Sequence, residues 1–383
     1  MINDYFQIHK NALNIFIKNI DTLISKYKGT KKECIMFGTS IIAEMVVDQL
    51  KDTELKISFI IDNAKSRQGM EVYGKKVYAP ERLKVEYNDN YLILIASSFQ
   101  NEMVAQLESY GYMYGKHIIK IIDLPELMND YSYVDRTGLH RLSQDEVKKT
   151  QLGILKRIDT YAKKYGIRYY LQSGTALGAV RHKGYIPWDD DVDVFVPIDD
   201  YLKLIDILKD DVQYKIISQF NTDYYFGCGV GYMIDSYTIC DVNKFPIQIS
   251  TGQSIDLFPL YGMPENREKQ KYYINKVKDL ENKCLVAIED DKRKKAVNEL
   301  NQFLLSYRYD ECKVVGNVLM PFFVKDIFEK KIFGKGVEQE FEGLYLKIPE
   351  KFEEYLTQIY GDYMKLPPLE KRKGEHFYHT YYK

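Results

Sequence analysis

Only five of the 383 residues are cysteine, at positions 34, 228, 240, 284 and 312, and none forms a CxxC pair. That spacing offers neither a zinc knuckle nor a disulfide framework, and scattered thiols in odd number fit a reducing compartment. Tryptophan occurs once, as Trp188. Net charge is nearly absent: 54 basic residues against 55 acidic leave −1, so no overall field draws in nucleic acid. No run approaches the roughly 18 apolar residues of a membrane span. The opening Met1-Ile2-Asn3-Asp4-Tyr5 lacks the basic start and apolar core of a secretory signal. A cytoplasmic protein is expected, with at most peripheral contact at the inner face of the membrane.

What is present is ample apolar material: 45% hydrophobic and 14% aromatic residues exclude wholesale disorder. The length suggests two domains. Residues 5–28 have a helical stripe, Leu13, Phe16, Ile20, Leu23 and Tyr27. It is expected to pack on its own domain, with a homodimer contact or a membrane surface as the alternatives. Apolar strands then alternate with helices: Cys34–Phe37, Ile57–Ile61, Tyr91–Ile95 and His117–Ile121. Buried strands between helices predict a Rossmann-like parallel-sheet domain over 1–125, α/β in class. Its first turn carries one glycine, Gly38, where a dinucleotide fingerprint has three, and Asp62 stands where a ribose-binding acid would. A structural or partner-binding role is favoured over nucleotide binding.

Residues 126–142 are the expected linker, and 143–383 a second domain. Ser143 and Glu146 read as a capping box opening a helix that carries Val147, Leu155, Ile158 and Ala162 inward and stops at Gly166. Strands are expected at 214–217, 229–234 and 254–257, two charged helices over 266–308, and mostly short helices and turns beyond.

The most informative stretch is 173–196, SGTALGAVRHKGYIPWDDDVDVFV. Strand alternation would send Asp191 and Asp193 to one face, and Asp189 keeps the same spacing. Like charges so placed raise one another's pKa unless a cation lies among them, and oxygen ligands suit Mg²⁺ or Mn²⁺. Asp190 is expected to point away. Gly174 and Thr175, ahead of a helix N-terminus, are candidates for donor phosphate. Arg181, His182 and Lys183 follow, with Arg181 suited to fork onto phosphate oxygens and His182 to act as an acid, a base or a support. Trp188 either stacks on a base or a quaternary ammonium, or packs beneath the acidic loop. Asp256, a lone acid in the apolar run SIDLF, is a second-strand candidate for metal ligand or for base toward an acceptor hydroxyl. Arg372 and His376, with Lys371 and His379 beside them, are tail candidates for phosphate or acceptor.

Residues 169–201, YYLQSGTALGAVRHKGYIPWDDDVDVFVPIDDY, resemble the signature of the LicD family, which includes the fukutin-like proteins. SIDLFPLYG at 254–262, FEGLYLKIPEKFEEYLTQIYGDYMKLPP at 341–368 and the tail extend the likeness across about 143–383. The resemblance implies an α+β, nucleotidyltransferase-like catalytic domain and the same 189/191/193 ligand set. It further implies transfer of phosphocholine or an alditol phosphate from a CDP-linked donor to a glycan or glycolipid, such as a lipopolysaccharide or teichoic acid precursor, releasing CMP. The rivals are a nucleotidyltransferase that releases pyrophosphate and a non-catalytic nucleotide-binding scaffold. One departure leaves the donor open: Gly231-Tyr232-Met233-Ile234 supplies no basic residue where the family pattern suggests one.

Overall fold

The structure is a computed structural model that describes residues 2–97, 99–122, 136–222, 229–244, 247–287, 289–319, 326–369, 372 and 379–383. The chain divides into two compact units, Met1–Asp135 with Val242–Ser250, and Arg136–Asp241 with Thr251–Lys383. The division at 135/136 falls inside the stretch expected as linker, most of which lies outside the described residues.

The first unit begins with α1 (Ile2–Tyr27) and continues β1 (Glu33–Phe37), α2 (Ile41–Leu50), β2 (Ile57–Ile61), β3 (Glu71–Val72), β4 (Lys75–Tyr78), α3 (Arg82–Val85), β5 (Tyr91–Ile95), α4 (Gln100–Ser109) and β6 (Ile118–Lys120). Its six-stranded sheet runs β3-β4-β2-β1-β5-β6, and all its pairings are parallel except β3 with β4. Every residue of β5 is buried, as a sheet covered on both faces requires. The α1 stripe is buried as well: Phe16, Ile20, Leu23 and Tyr27 lie inside the fold, so the face that would have served a dimer contact is occupied. The turn between β1 and α2 is closed by side chains. Thr39 donates to Asp62 Oδ2 at 2.7 Å, the Ala64 N–H reaches Asp62 Oδ1 at 2.8 Å, and Tyr73 donates to the Thr39 carbonyl at 3.0 Å. Both oxygens of Asp62, the ribose-binding candidate, are therefore bonded within the protein.

The second unit carries α5 (Gln144–Tyr165), β7 (Tyr170–Leu171), α6 (Ser173–His182), β8 (Asp193–Pro197), α7 (Ile198–Leu208), β9 (Tyr214–Ile217), β10 (Gly231–Lys244) and β11 (Ile247–Met263). After them come α8 (Arg267–Val286), α9 (Asp290–Leu304), β12 (Val314–Gly316), β13 (Ile327–Glu329), β14 (Val337–Phe341), β15 (Leu344–Ile348), α10 (Phe352–Tyr360) and β16 (His379–Tyr382). The capping box forms as the sequence implies, with the Ser143 N–H on Glu146 Oε2 at 2.8 Å, and Gly166 closes the helix at φ 66°. The main sheet runs β13-β12-β11-β10-β16, with β8 parallel to β11, β7 antiparallel to β8 and β9 antiparallel to β10. The unit thus mixes parallel and antiparallel pairing. The C-terminal third differs from expectation: among the described residues it holds five short strands, two of them paired as the β14–β15 hairpin, beside α10. Segments of three to five residues such as Val337–Phe341 mix charges with apolar residues, and only their partners in space make them strands.

Phe195 of β8 is fully buried amid Phe258, Phe328, Phe333 and Tyr355, with ring centroids 5.8–6.4 Å away and edge-on geometry. This aromatic plug holds β8 against β11 and α10. It fixes the strand whose first residue is Asp193.

Candidate active site

The site is built where β7 leaves the sheet and β8 enters it. The Gln172 N–H reaches the Asp193 carbonyl at 3.0 Å, so the turn into α6 is tied to the head of β8. Thr175 is 4% exposed, and its hydroxyl accepts the Asp193 N–H at 2.9 Å. Its hydroxyl thus serves the protein, holding the strand head, where the sequence suggested a phosphate contact. A Cβ at Gly174 would stand 2.5 Å from Asp189 Oδ2, so a side chain there requires that carboxylate to shift. The glycine's lack of one makes space for a carboxylate, a reason the sequence reading did not contain.

The acids are arranged differently from the alternation argument. Strand β8 starts only at Asp193, so Asp189, Asp190 and Asp191 precede it in a loop free of the two-residue repeat. Ligand oxygens of Asp189, Asp190 and Asp191 lie within 4.8 Å of one another, and all three side chains are half-buried. Asp190, expected to turn away, therefore belongs to the cluster. Burial first, and then the Asp191 carboxylate, push Asp189 up to about 8. Asp193 and Asp256 are side by side in the parallel register of β8 and β11, and the Asp256 N–H donates to the Val192 carbonyl at 2.8 Å. Three clustered carboxylates, one of them forced toward its neutral form, suit a hard divalent cation. The donor set fits Mg²⁺ or Mn²⁺.

A basic side adjoins the acidic one. Arg181 is half-buried, its Nη1 donating to the Tyr363 carbonyl at 2.8 Å, and burial and the neighbouring Arg372 lower it from its ordinary value. His182 accepts from Arg181 Nε at 3.4 Å through Nδ1; burial and that guanidinium lower its pKa. The Arg372 guanidinium lies over the Trp188 ring at 5.3 Å, and the His182 ring meets Trp188 edge-on at 6.3 Å. Trp188 packs partly against the core while carrying a protein cation on one face.

Lys183 is placed otherwise. It ends α6 in the left-handed region at φ 58°, its carbonyl accepts from the Glu342 N–H at 2.9 Å, and its ammonium pairs with Glu340 at 3.6 Å on an exposed surface. Its backbone is thus a structural cap joined to the β14–β15 hairpin. His379 lies in β16, in register with Asp241. His376 and Lys371 lie outside the described residues.

Residues 166–283 match the family model described as LicD/FKTN/FKRP, nucleotidyltransferase domain, and residues 30–119 match one described as C2185-like, N-terminal. A lipopolysaccharide cholinephosphotransferase LicD of Haemophilus influenzae is 30% identical over 269 residues, 63% of this chain and 99% of that protein. The chain belongs to the LicD family. A ribitol 5-phosphate transferase FKRP of Mus musculus is 51% identical over 35 residues, 9% of this chain and 7% of that protein. An uncharacterized protein RP689 of Rickettsia prowazekii is 36% identical over 91 residues, 21% of this chain and 32% of its own length. No helix among the described residues is long and apolar enough to cross a membrane.

Around this LicD-type site stand residues that sequence reading missed. Gln151, 1% exposed on α5, donates to the Asp190 carbonyl at 3.1 Å and accepts from the Tyr185 hydroxyl at 3.0 Å. Tyr185 has Asp189 and Asp191 as electrostatic neighbours, and the Glu342 carboxylate accepts its N–H at 3.1 Å. Gln151 did leave a signal. It sits four residues from both Val147 and Leu155, a polar residue inside the apolar stripe. Tyr360, whose hydroxyl has all of Asp189, Asp191 and Asp193 as neighbours, left none among 34 tyrosines.

Proposed function

We propose that this chain transfers a phospho-substituent, phosphocholine or an alditol phosphate, from a CDP-linked donor to a hydroxyl of a cell-surface glycan or its lipid-linked precursor, releasing CMP. The observation that carries this reading is the cluster of Asp189, Asp190 and Asp191, which follows Trp188 in the chain, with the Arg372 guanidinium over the Trp188 ring and Arg181 neighbouring Arg372. Phosphoryl transfer asks a protein chiefly to neutralise and align charge, and this arrangement offers sites for both a cation and phosphate oxygens. The LicD and FKRP relatives, a cholinephosphotransferase and a ribitol 5-phosphate transferase by name, support the same class of reaction.

In this reading Asp189, Asp190 and Asp191, with Asp193 next to them, hold Mg²⁺ or Mn²⁺. The ion, when bound, offsets the negative charge of the donor diphosphate. Arg181 and Arg372 take phosphate oxygens, and His182 and Trp188 support them. The acceptor oxygen attacks the phosphorus that carries the choline or alditol, the bond from that phosphorus to the bridging oxygen breaks, and its electron pair leaves on that oxygen with CMP. Asp256, one strand over from Asp193, receives the proton of the acceptor hydroxyl.

The test uses the full chain with CDP-choline, CDP-ribitol and CDP-glycerol, with and without Mg²⁺, and a glycolipid extract as acceptor. CMP is the expected product, while pyrophosphate would mark a nucleotidyltransferase. Asp191→Asn and Asp193→Asn are expected to abolish turnover with melting temperatures retained. Near-normal turnover by either variant overturns the assignment.

A further inference from the structure

The acidic and basic halves of the site are joined by one short helix. Helix α10 ends at Tyr360, and Gly361 turns the chain at φ 70° so that the Tyr363 carbonyl receives Arg181 Nη1 at 2.8 Å. That bond fixes where Tyr360 stands relative to Arg181, which has the phenol among its electrostatic neighbours. On the opposite hand the phenol faces Asp193, Asp189 and Asp191 and hydrogen-bonds the Ser173 side chain. The residue is 43% exposed overall, and its hydroxyl is the more desolvated end, set among the acids.

Ser173 is itself unusual. It adopts φ 43°, a left-handed conformation that is strained for a non-glycine residue and persists only where the surroundings impose it. Here the surroundings are α10: the Ser173 N–H donates to the fully buried Tyr355 hydroxyl at 2.9 Å. Two tyrosines of one helix thus grip the first residue of α6, one through its backbone and one through its side chain. Tyr355 has an evident structural task. The half-exposed Tyr360 adds little to the core, yet its hydroxyl is aimed at the reacting end of the site.

We propose that Tyr360 contacts the donor: its phenolic O–H, held by Ser173 beside both the acidic cluster and Arg181, donates a hydrogen bond to an oxygen of the phosphoryl group in transit. This rests on the transferase reading above. A cation and guanidinium groups neutralise the donor phosphates, but a neutral, directional donor adds alignment that point charges lack. A phenol, with an ordinary pKa of about 10, is a donor at neutral pH.

Tyr360→Phe keeps the ring and removes only the O–H. With whichever of CDP-choline, CDP-ribitol or CDP-glycerol the wild type turns over, kcat for CMP release is expected to fall about 10- to 100-fold while KM changes less than about threefold. Ser173→Ala is expected to cost about threefold or more alone and nothing further in the Tyr360→Phe background, since both act through one hydrogen bond. Melting temperature and Mg²⁺ affinity, read by calorimetry, are expected to match the wild type, which a merely structural tyrosine would not predict alongside a loss of kcat. Wild-type turnover with Tyr360→Phe within twofold of it overturns this inference and leaves the transferase reading standing. A wild type that releases CMP from none of the three donors overturns both.

Discussion

The Thr175 hydroxyl accepts the backbone N–H of Asp193 at 2.9 Å, so the helix that follows β7 holds the first residue of β8. Thr175→Val keeps the shape and removes the acceptor. A buried N–H left without a partner costs about 1–3 kcal/mol. The melting temperature of Thr175→Val is expected to drop by several degrees and CMP release to fall, with Thr175→Ser recovering most of both. Equal losses in the Ser and Val variants would show that methyl packing, not the hydrogen bond, is what matters.

Gly174→Ala places a methyl where Asp189 Oδ2 now lies, 2.5 Å from the new Cβ. The carboxylate has to move, and the cluster opens. Mg²⁺ affinity measured by calorimetry is expected to fall at least about tenfold, because carboxylate ligands act together only when geometry holds them. The fold, followed by circular dichroism, is expected to persist. Unchanged affinity would mean that Asp189 is not a ligand.

Asp189 gives the protein a pH dependence whose sign follows from its surroundings. Burial and Asp191 raise it from 3.8 to about 8 in the folded chain. The folded state therefore holds this proton more tightly than the unfolded one, and stability declines as pH rises between those values, levelling above. In EDTA the melting temperature is expected to fall progressively across that window. Excess Mg²⁺, which favours the ionised cluster, is expected to remove much of the decline near pH 8. A decline of equal size in both conditions would exclude a cation at these carboxylates.

Much of this site is legible in the chain itself. The DDDVD run, the basic triplet before it and the lone Asp256 are visible because charge beside β-branched residues is costly without a purpose. Helix α5 announces its own start and stop, since a capping box and a left-handed glycine act within a few residues. Other features were misread for a common reason. Treating 189–193 as a strand turned Asp190 away from its neighbours, whereas the loop ahead of β8 gathers all three acids. That Lys183 also caps α6 in the left-handed region was not visible from its place in a basic triplet.

The sequence by itself determined the apolar strands, the helix boundaries set by local caps, and the concentration of acid and base within two dozen residues. These are short-range properties, written in side-chain type and spacing. Only the tertiary structure decided that Asp193 lies level with Asp256, that Gln151 steadies the acidic loop, and that Tyr360 comes from about 170 residues away to face Asp189. Such contacts depend on sheet register and on how α10 packs against α6. No local pattern encodes those, because they are set by the shared burial of Phe195, Phe328, Phe333 and Tyr355.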